Sequence, residues 1–175
     1  NDTYGYLRGD GVIMQTARIL TSCVAKYGKA DDFVGHIGGD DFIVMTTPDR
    51  AEFLAKKVIA EFNRLIPLLY DKKDRQEGYL TVRDRQNRVI QAPLMGISVS
   101  IVDTSWHKVS TTIELTEIAS EIKKHLKNQT GSSYLINRRK KSSKNKTQSH
   151  GKLQEFQDLP SSIYSVKEDA LPIGQ

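Results

Sequence analysis

The stretch Asp31 to Thr47, DDFVGHIGGDDFIVMTT, restricts the fold more than any other part of the chain. Two short apolar runs flank Gly-Gly-Asp-Asp, which reads as a strand, a tight bend over Gly38 to Asp41 and a returning strand. Glycine and aspartate are turn residues, so a plain turn accounts for the composition. A metal and phosphate site accounts for it as well. Side chains of neighbouring strand residues point to opposite faces, but a tight bend relaxes that alternation and lets Asp40 and Asp41 reach one cation. Such hard oxygens suit Mg²⁺, which binds through one or two carboxylates and completes its shell with water and phosphate. Gly38 and Gly39 ahead of them leave the backbone open to a nucleotide. The combination points to metal-assisted phosphoryl transfer, in which positioning and charge neutralisation carry most of the catalysis.

Around this bend, helical and strand patterns alternate. GDGVIMQTARILTSCVAKYGK places Ile13, Ala17, Leu20 and Val24 on one helical face, and Gly28 stands where such a helix can end left-handed. TPDRAEFLAKKVIAEFNRLIPLLY has Thr47 as N-cap and Pro48 at the first helical position. Its stripe runs Leu54, Val58, Phe62, Leu65, Leu69, and Pro67 bends or breaks the last turn. GYLTV and RVIQAPL around RDRQN predict a polar hairpin. In LMGISVSIV, Ile97, Val99 and Ile101 alternate with serines, the mark of a strand. TTIELTEIASEIKKHLK predicts a third amphipathic helix through Leu115, Ile118, Ile122 and Leu126, and SSYLIN a short closing strand. No internal repeat is present. The expected class is an α/β (α+β) sandwich with helices packed on one sheet.

At 175 residues one domain is expected, with a tail. From Arg138 onward 8 Lys and Arg face 4 Asp and Glu, which places most of the net charge of +5 there and leaves the body nearly neutral. Residues 1–137 are therefore expected to fold and 138–175 to form a basic, disordered tail. The high pI describes that tail and not a nucleic-acid-binding surface, since no stacking aromatics interleave the lysines of NRRKKSSKNK. No apolar run approaches the roughly 18 residues that span a bilayer, and no basic-then-apolar leader opens the chain. Cys23 has no partner for an internal disulfide, which fits the cytoplasm, and its apolar neighbours mark it as core filler. His36, His107, His125 and His150 lack metal-ligand spacing. Trp106 carries no signal of its own, and no P-loop lysine motif is present.

The order NDTYGYLRGDGVIMQTARIL, then a strand, then GGDDF resembles the GGDEF-domain diguanylate cyclases over about Asn1 to Asn137. The resemblance implies a nucleotidyl-cyclase-like fold, a central, mostly antiparallel sheet flanked by helices. It implies that Asn1 and Asp10 hydrogen-bond guanine, for which an amide and a carboxylate offer the right donors and acceptors. Gly38 and Gly39 match the backbone facing the nucleotide. Asp40 matches the carboxylate that holds Mg²⁺ (Mn²⁺ being the alternative ion) and acts as base toward the ribose 3′-hydroxyl. Asp41 stands where the family has glutamate, also at the metal. Lys127 matches a lysine that steadies the triphosphate. Two such domains, each holding one GTP, would face each other as a homodimer and form cyclic di-GMP with release of pyrophosphate.

The chain departs from the family pattern in four places. It begins at the asparagine, so the preceding strand and its aspartate ligand are absent; the expectation is a fragment of a longer protein with an upstream sensory or receiver domain, and an open sheet edge. Asp41 is one methylene short of glutamate, a shift of roughly 1 Å that can cost on the order of a hundredfold in rate. The inhibitory product site of many relatives pairs an arginine with an aspartate three residues on, and here those positions hold Lys29 and Asp32. Lysine lacks the planar fork of arginine, which weakens the case for feedback inhibition. The stretch from Tyr70 to Pro93 is longer than the usual link, and its bland reading is a hairpin packing on a neighbour. A second function therefore stands beside the cyclase: a degenerate GGDEF domain that binds GTP or cyclic di-GMP and regulates without turnover.

Overall fold

The computed structural model describes residues 6–84, 86–105, 109–127, 129–137 and 164–165. Its elements in chain order are α1 (Tyr6–Tyr27), β1 (Phe33–Gly38), β2 (Asp41–Met45), α2 (Pro48–Leu65), α3 (Lys72–Glu77), β3 (Tyr79–Arg83), β4 (Val89–Pro93), β5 (Ser98–Val102), α4 (Thr112–Leu126), β6 (Ser133–Asn137) and β7 (Tyr164–Ser165). The chain is thus a mixed α/β protein.

Helix α2 organises the core because its two apolar stripes face different partners. Leu54, Val58 and Phe62 pack with Ile19, Leu20, Cys23 and Val24 of α1, and the half-buried Val34, Phe42 and Val44 of the β1–β2 hairpin close over them. One residue further round, Ala55 and Ile59 meet Ile101 of β5 and Tyr134 of β6. Successive strand residues face opposite ways, so Leu135, beside Tyr134, turns from α2 and receives Ile122 and Leu126 of α4. The β5–β6 pair is therefore covered on both faces. Each large apolar side chain buried this way contributes on the order of 2 kcal/mol.

The expected stripe of α2 holds through Leu65, which packs half-buried against the core. Pro67 cannot continue the α-helical ladder, and the chain tightens into a 3₁₀ turn over Ile66–Leu69. The change of rise rotates Leu69 out of the stripe, and it is exposed while Ile66 is fully buried. Gly28 closes α1 through its N–H to the Val24 carbonyl at 2.8 Å, but without the expected positive φ. Helix α4 has the anticipated stripe and an N-cap at Thr111, whose hydroxyl accepts from the Glu114 N–H at 3.2 Å.

The expectation of one central, mostly antiparallel sheet needs correction. The strands fall into three small sheets: β1–β2 antiparallel, β3–β4 antiparallel, and β5–β6–β7. Within the last, β5 and β6 run parallel, Ser98 beside Ser133 through Val102 beside Asn137. The reason is the connection. Helix α4 carries the chain back along the sheet, and a crossover of that length makes neighbouring strands parallel. Among the described residues, β2 pairs only with β1 and β5 only with β6.

The polar hairpin expected between Tyr79 and Pro93 is β3–β4. Its turn is organised by Asp84, whose carboxylate accepts from the N–H groups of Gln86 and Arg88, both at 2.9 Å, and from Arg88 Nε at 2.8 Å. The backbone N–H of Arg88, and then its side chain, hold the Asp84 carboxyl below the usual range. Before it lies α3, a six-residue helix that no apolar periodicity announces. Tyr164 and Ser165 pair antiparallel with Tyr134 and Ser133 at the outer edge of β6. The rest of the 138–175 segment, with Trp106, His107 and His150, lies outside the described residues.

Gly96 sits where the approach to β5 crosses Gly131, and a Cβ there would meet the Gly131 carbonyl inside contact distance. Both neighbours are backbone and cannot swing aside. Gly96→Ala is accordingly expected to cost about 2 kcal/mol through overpacking, seen as a lower urea midpoint at unchanged slope. An unchanged midpoint would show that this crossing is looser than its geometry.

Candidate functional site

The bend is built by a two-residue loop, Gly39–Asp40, between the paired residues Gly38 and Asp41. Gly39 has φ +55°, and a Cβ placed on it would touch nothing within 4 Å. Backbone conformation, not crowding, therefore calls for glycine there, as in hairpin loops with glycine first. The ladder shifts register between His36 and Gly38, so Ile37 is an extra residue and projects outward, 71% exposed. His36 stacks on Phe42 with ring centroids 4.5 Å apart, and its Nε2 lies 2.9 Å from the Gly39 carbonyl. Phe42 in turn packs on the α1–α2 core. A chain of contacts thus runs from the buried core to the tip of the loop and orients it. His36 acts here as a packing residue.

Asp40 occupies the second loop position and Asp41 the first position of β2, both exposed. Asp41 accepts an ion pair from Lys123 Nζ of α4, 82 residues away in sequence. The lysine that meets Asp41 is Lys123. Lys127 is the C-cap residue of α4, exposed, with its N–H on the Lys123 carbonyl at 3.0 Å. Residues four apart share a helical face, so Lys127 stands one turn beyond Lys123 on the side that meets the bend. The sequence signal for Lys123 was that same spacing of four in KKHLK, which was legible but lacked a reason for choosing the earlier lysine.

Asp10 is the fifth residue of α1 and is exposed. Asn1 lies outside the described residues. Lys29 and Asp32 occupy the α1–β1 connection and already have partners. Asp32 Oδ2 accepts from the Lys29 N–H and from the Thr46 hydroxyl, each at 2.9 Å, tying the connection to the end of β2. Lys29 Nζ pairs with Asp49 of α2 at 3.1 Å. These two side chains, with Thr21, Val24, Ala25, Gly28, Ala30 and Val34, line an open groove on the far side of the hairpin from its tip.

Cys23 is buried, and that burial pushes its thiol pKa up, which keeps it unreactive. Among the described residues no group of three or more His, Cys, Asp and Glu side chains gathers. Two carboxylates suit Mg²⁺, whose remaining positions go to water and phosphate oxygens. No helix of the described residues is long and apolar enough to cross a membrane.

Residues 1–82 match the sequence profile of the diguanylate cyclase GGDEF domain. A curated protein from Caulobacter vibrioides, described as an uncharacterized signaling protein, is 44% identical over 45 residues, 26% of this chain. The chain spans about 5% of the length of that relative. No solved structure matches the chain.

Proposed function

We propose that this chain, whose residues 1–82 match the GGDEF domain profile, contributes one half-site of a diguanylate cyclase that joins two GTP molecules into cyclic di-GMP. The observation that carries the proposal is the hairpin tip. A glycine-first loop, oriented from the core through Phe42 and His36, presents Asp40 and Asp41 together to solvent.

In this reading Asp10 and Asn1 select guanine through donor and acceptor pairing with the base edge. Gly38 and Gly39 allow the triphosphate to lie against the backbone. Asp40 and Asp41 hold the divalent ion, which neutralises charge on the phosphates when bound. Asp40 accepts the proton of the ribose 3′-hydroxyl. The freed oxygen bonds to the α-phosphorus of the GTP on the facing subunit, and the bond from that phosphorus to the bridging oxygen breaks, so pyrophosphate leaves. The same step with the roles exchanged closes the ring, which is why a homodimer is required. Lys127 steadies the triphosphate from the end of α4.

Incubation with GTP and Mg²⁺ followed by chromatography tests this directly. The expected products are cyclic di-GMP and pyrophosphate in a ratio of one to two. A second reading, a regulatory module that binds GTP or cyclic di-GMP without turnover, is favoured by one observation: Asp41 is already neutralised by Lys123. Nucleotide binding with no pyrophosphate released would select it. Neither binding nor turnover would remove both.

A further inference from the structure

We infer that Lys123 is a built-in competitor for the divalent ion, occupying the Asp41 carboxylate until metal displaces it. The inference rests on the proposed metal role of the bend and adds to it a residue outside the GGDDF motif.

The ion pair between Lys123 Nζ and Asp41 Oδ1 joins α4 to the hairpin. It is no surface accident of neighbouring turns, since the two residues are 82 apart and each is anchored. Lys123 follows Ile122, which is buried against Leu135, and Leu126 three residues on is 1% exposed. These two contacts fix the rotation of α4 and hence where the ammonium can reach. Asp41 is fixed by its ladder position opposite Gly38 and by Phe42 in the core beneath it. Lys123 is about one-third exposed and Asp41 half exposed. Water therefore screens the pair, and its strength stays in the range where a divalent ion can displace it.

The two cations compete at Asp41. The ammonium takes up Oδ1 and leaves Oδ2 open, so it weakens the carboxylate as a metal ligand without excluding the ion. A double positive charge a few ångströms from the ammonium is also repelled. With Asp40 and Asp41 as the carboxylates of the bend, a partly neutralised Asp41 holds the ion less firmly. Released from Asp41, Lys123 remains on the same face of α4 as Lys127, one turn apart, and the two ammonium groups can share the charge of a triphosphate. The metal and the nucleotide would then bind together more readily than the metal alone.

The test measures Mn²⁺ binding without nucleotide, by electron paramagnetic resonance of the free ion, on five forms of the chain. Lys123→Gln removes the competing charge and is expected to bind Mn²⁺ two- to fivefold tighter than the unmodified chain. Lys123→Arg keeps the charge and is expected to stay within twofold of it. In an Asp41→Asn background, Lys123→Gln is expected to give no gain. Circular dichroism of each form checks that α4 is intact. Equal or weaker Mn²⁺ binding by Lys123→Gln, with binding still lost in Asp41→Asn, overturns the competitor while leaving the metal role of the bend standing. No Mn²⁺ binding by any form, Lys123→Gln included, overturns both.

Discussion

Replacing Asp40 by asparagine is expected to lower cyclic di-GMP formation at least about a hundredfold, the lower end of what a positioned general base contributes. Asparagine keeps the size and the loop but cannot take the 3′-hydroxyl proton, and it contributes no charge to a divalent ion. The effect should fall on turnover and not on folding. Asp40 is exposed at the second position of a two-residue loop, and surface substitutions of that kind stay within about 0.5 kcal/mol. Chromatographic product analysis paired with a thermal melt separates the two. Activity retained within a few-fold would mean that proton removal falls to another group, and the assignment of Asp40 would be wrong. Activity lost together with a large drop in melting temperature would instead make Asp40 a structural residue of the turn.

Phe62→Ala is expected to destabilise the chain by about 3 to 5 kcal/mol. Phe62 is 3% exposed and lies where α2 meets both α1 and the underside of the β1–β2 hairpin. Truncation removes the transfer free energy of the ring and leaves a cavity that two helices and a strand pair cannot collapse around without moving apart. Because Phe42 rests on this same cluster, the bend should loosen before the whole domain unfolds. Urea denaturation followed by far-ultraviolet circular dichroism reads the total loss. Amide hydrogen exchange at Ile43 and Val44, compared with Val99 and Ile101, reads its distribution. A loss below about 1 kcal/mol would show that the α1–α2 contact is more plastic than its burial indicates.

Most of the local structure was legible in the amino-acid order, for reasons confined to a few residues at a time. The hairpin from Phe33 to Met45 follows from apolar runs around a glycine-first turn, and α2 starts at Pro48, whose fixed φ suits the first helical position, with Thr47 at the N-cap making no side-chain capping bond. The α4 stripe of Ile118, Ile122 and Leu126 needed only the helical period. Helix α3 escaped because a six-residue, wholly polar helix gives periodicity nothing to detect. Leu69 was misplaced because Pro67 changes the helical pitch, and a stripe drawn at constant pitch runs past it. Of the candidate site, the acidic pair and its glycines were visible as a motif, whereas the contact of Lys123 with Asp41 was not. Only the rotation of α4 against β6 decides that this ammonium arrives at Asp41.

Residue order was sufficient for the chemistry of the GGDD turn, the start of α2 and most of the buried stripes, because each depends on neighbours a turn or a pleat away. Tertiary packing alone decided that the strands divide into three sheets, that β5 and β6 run parallel beneath α2 and α4, and that Lys123 neutralises Asp41. The physical reason is range. An ion pair across 82 residues costs nothing locally and leaves no local pattern, and it exists only after the apolar faces of α4 and the hairpin have been set against a common core.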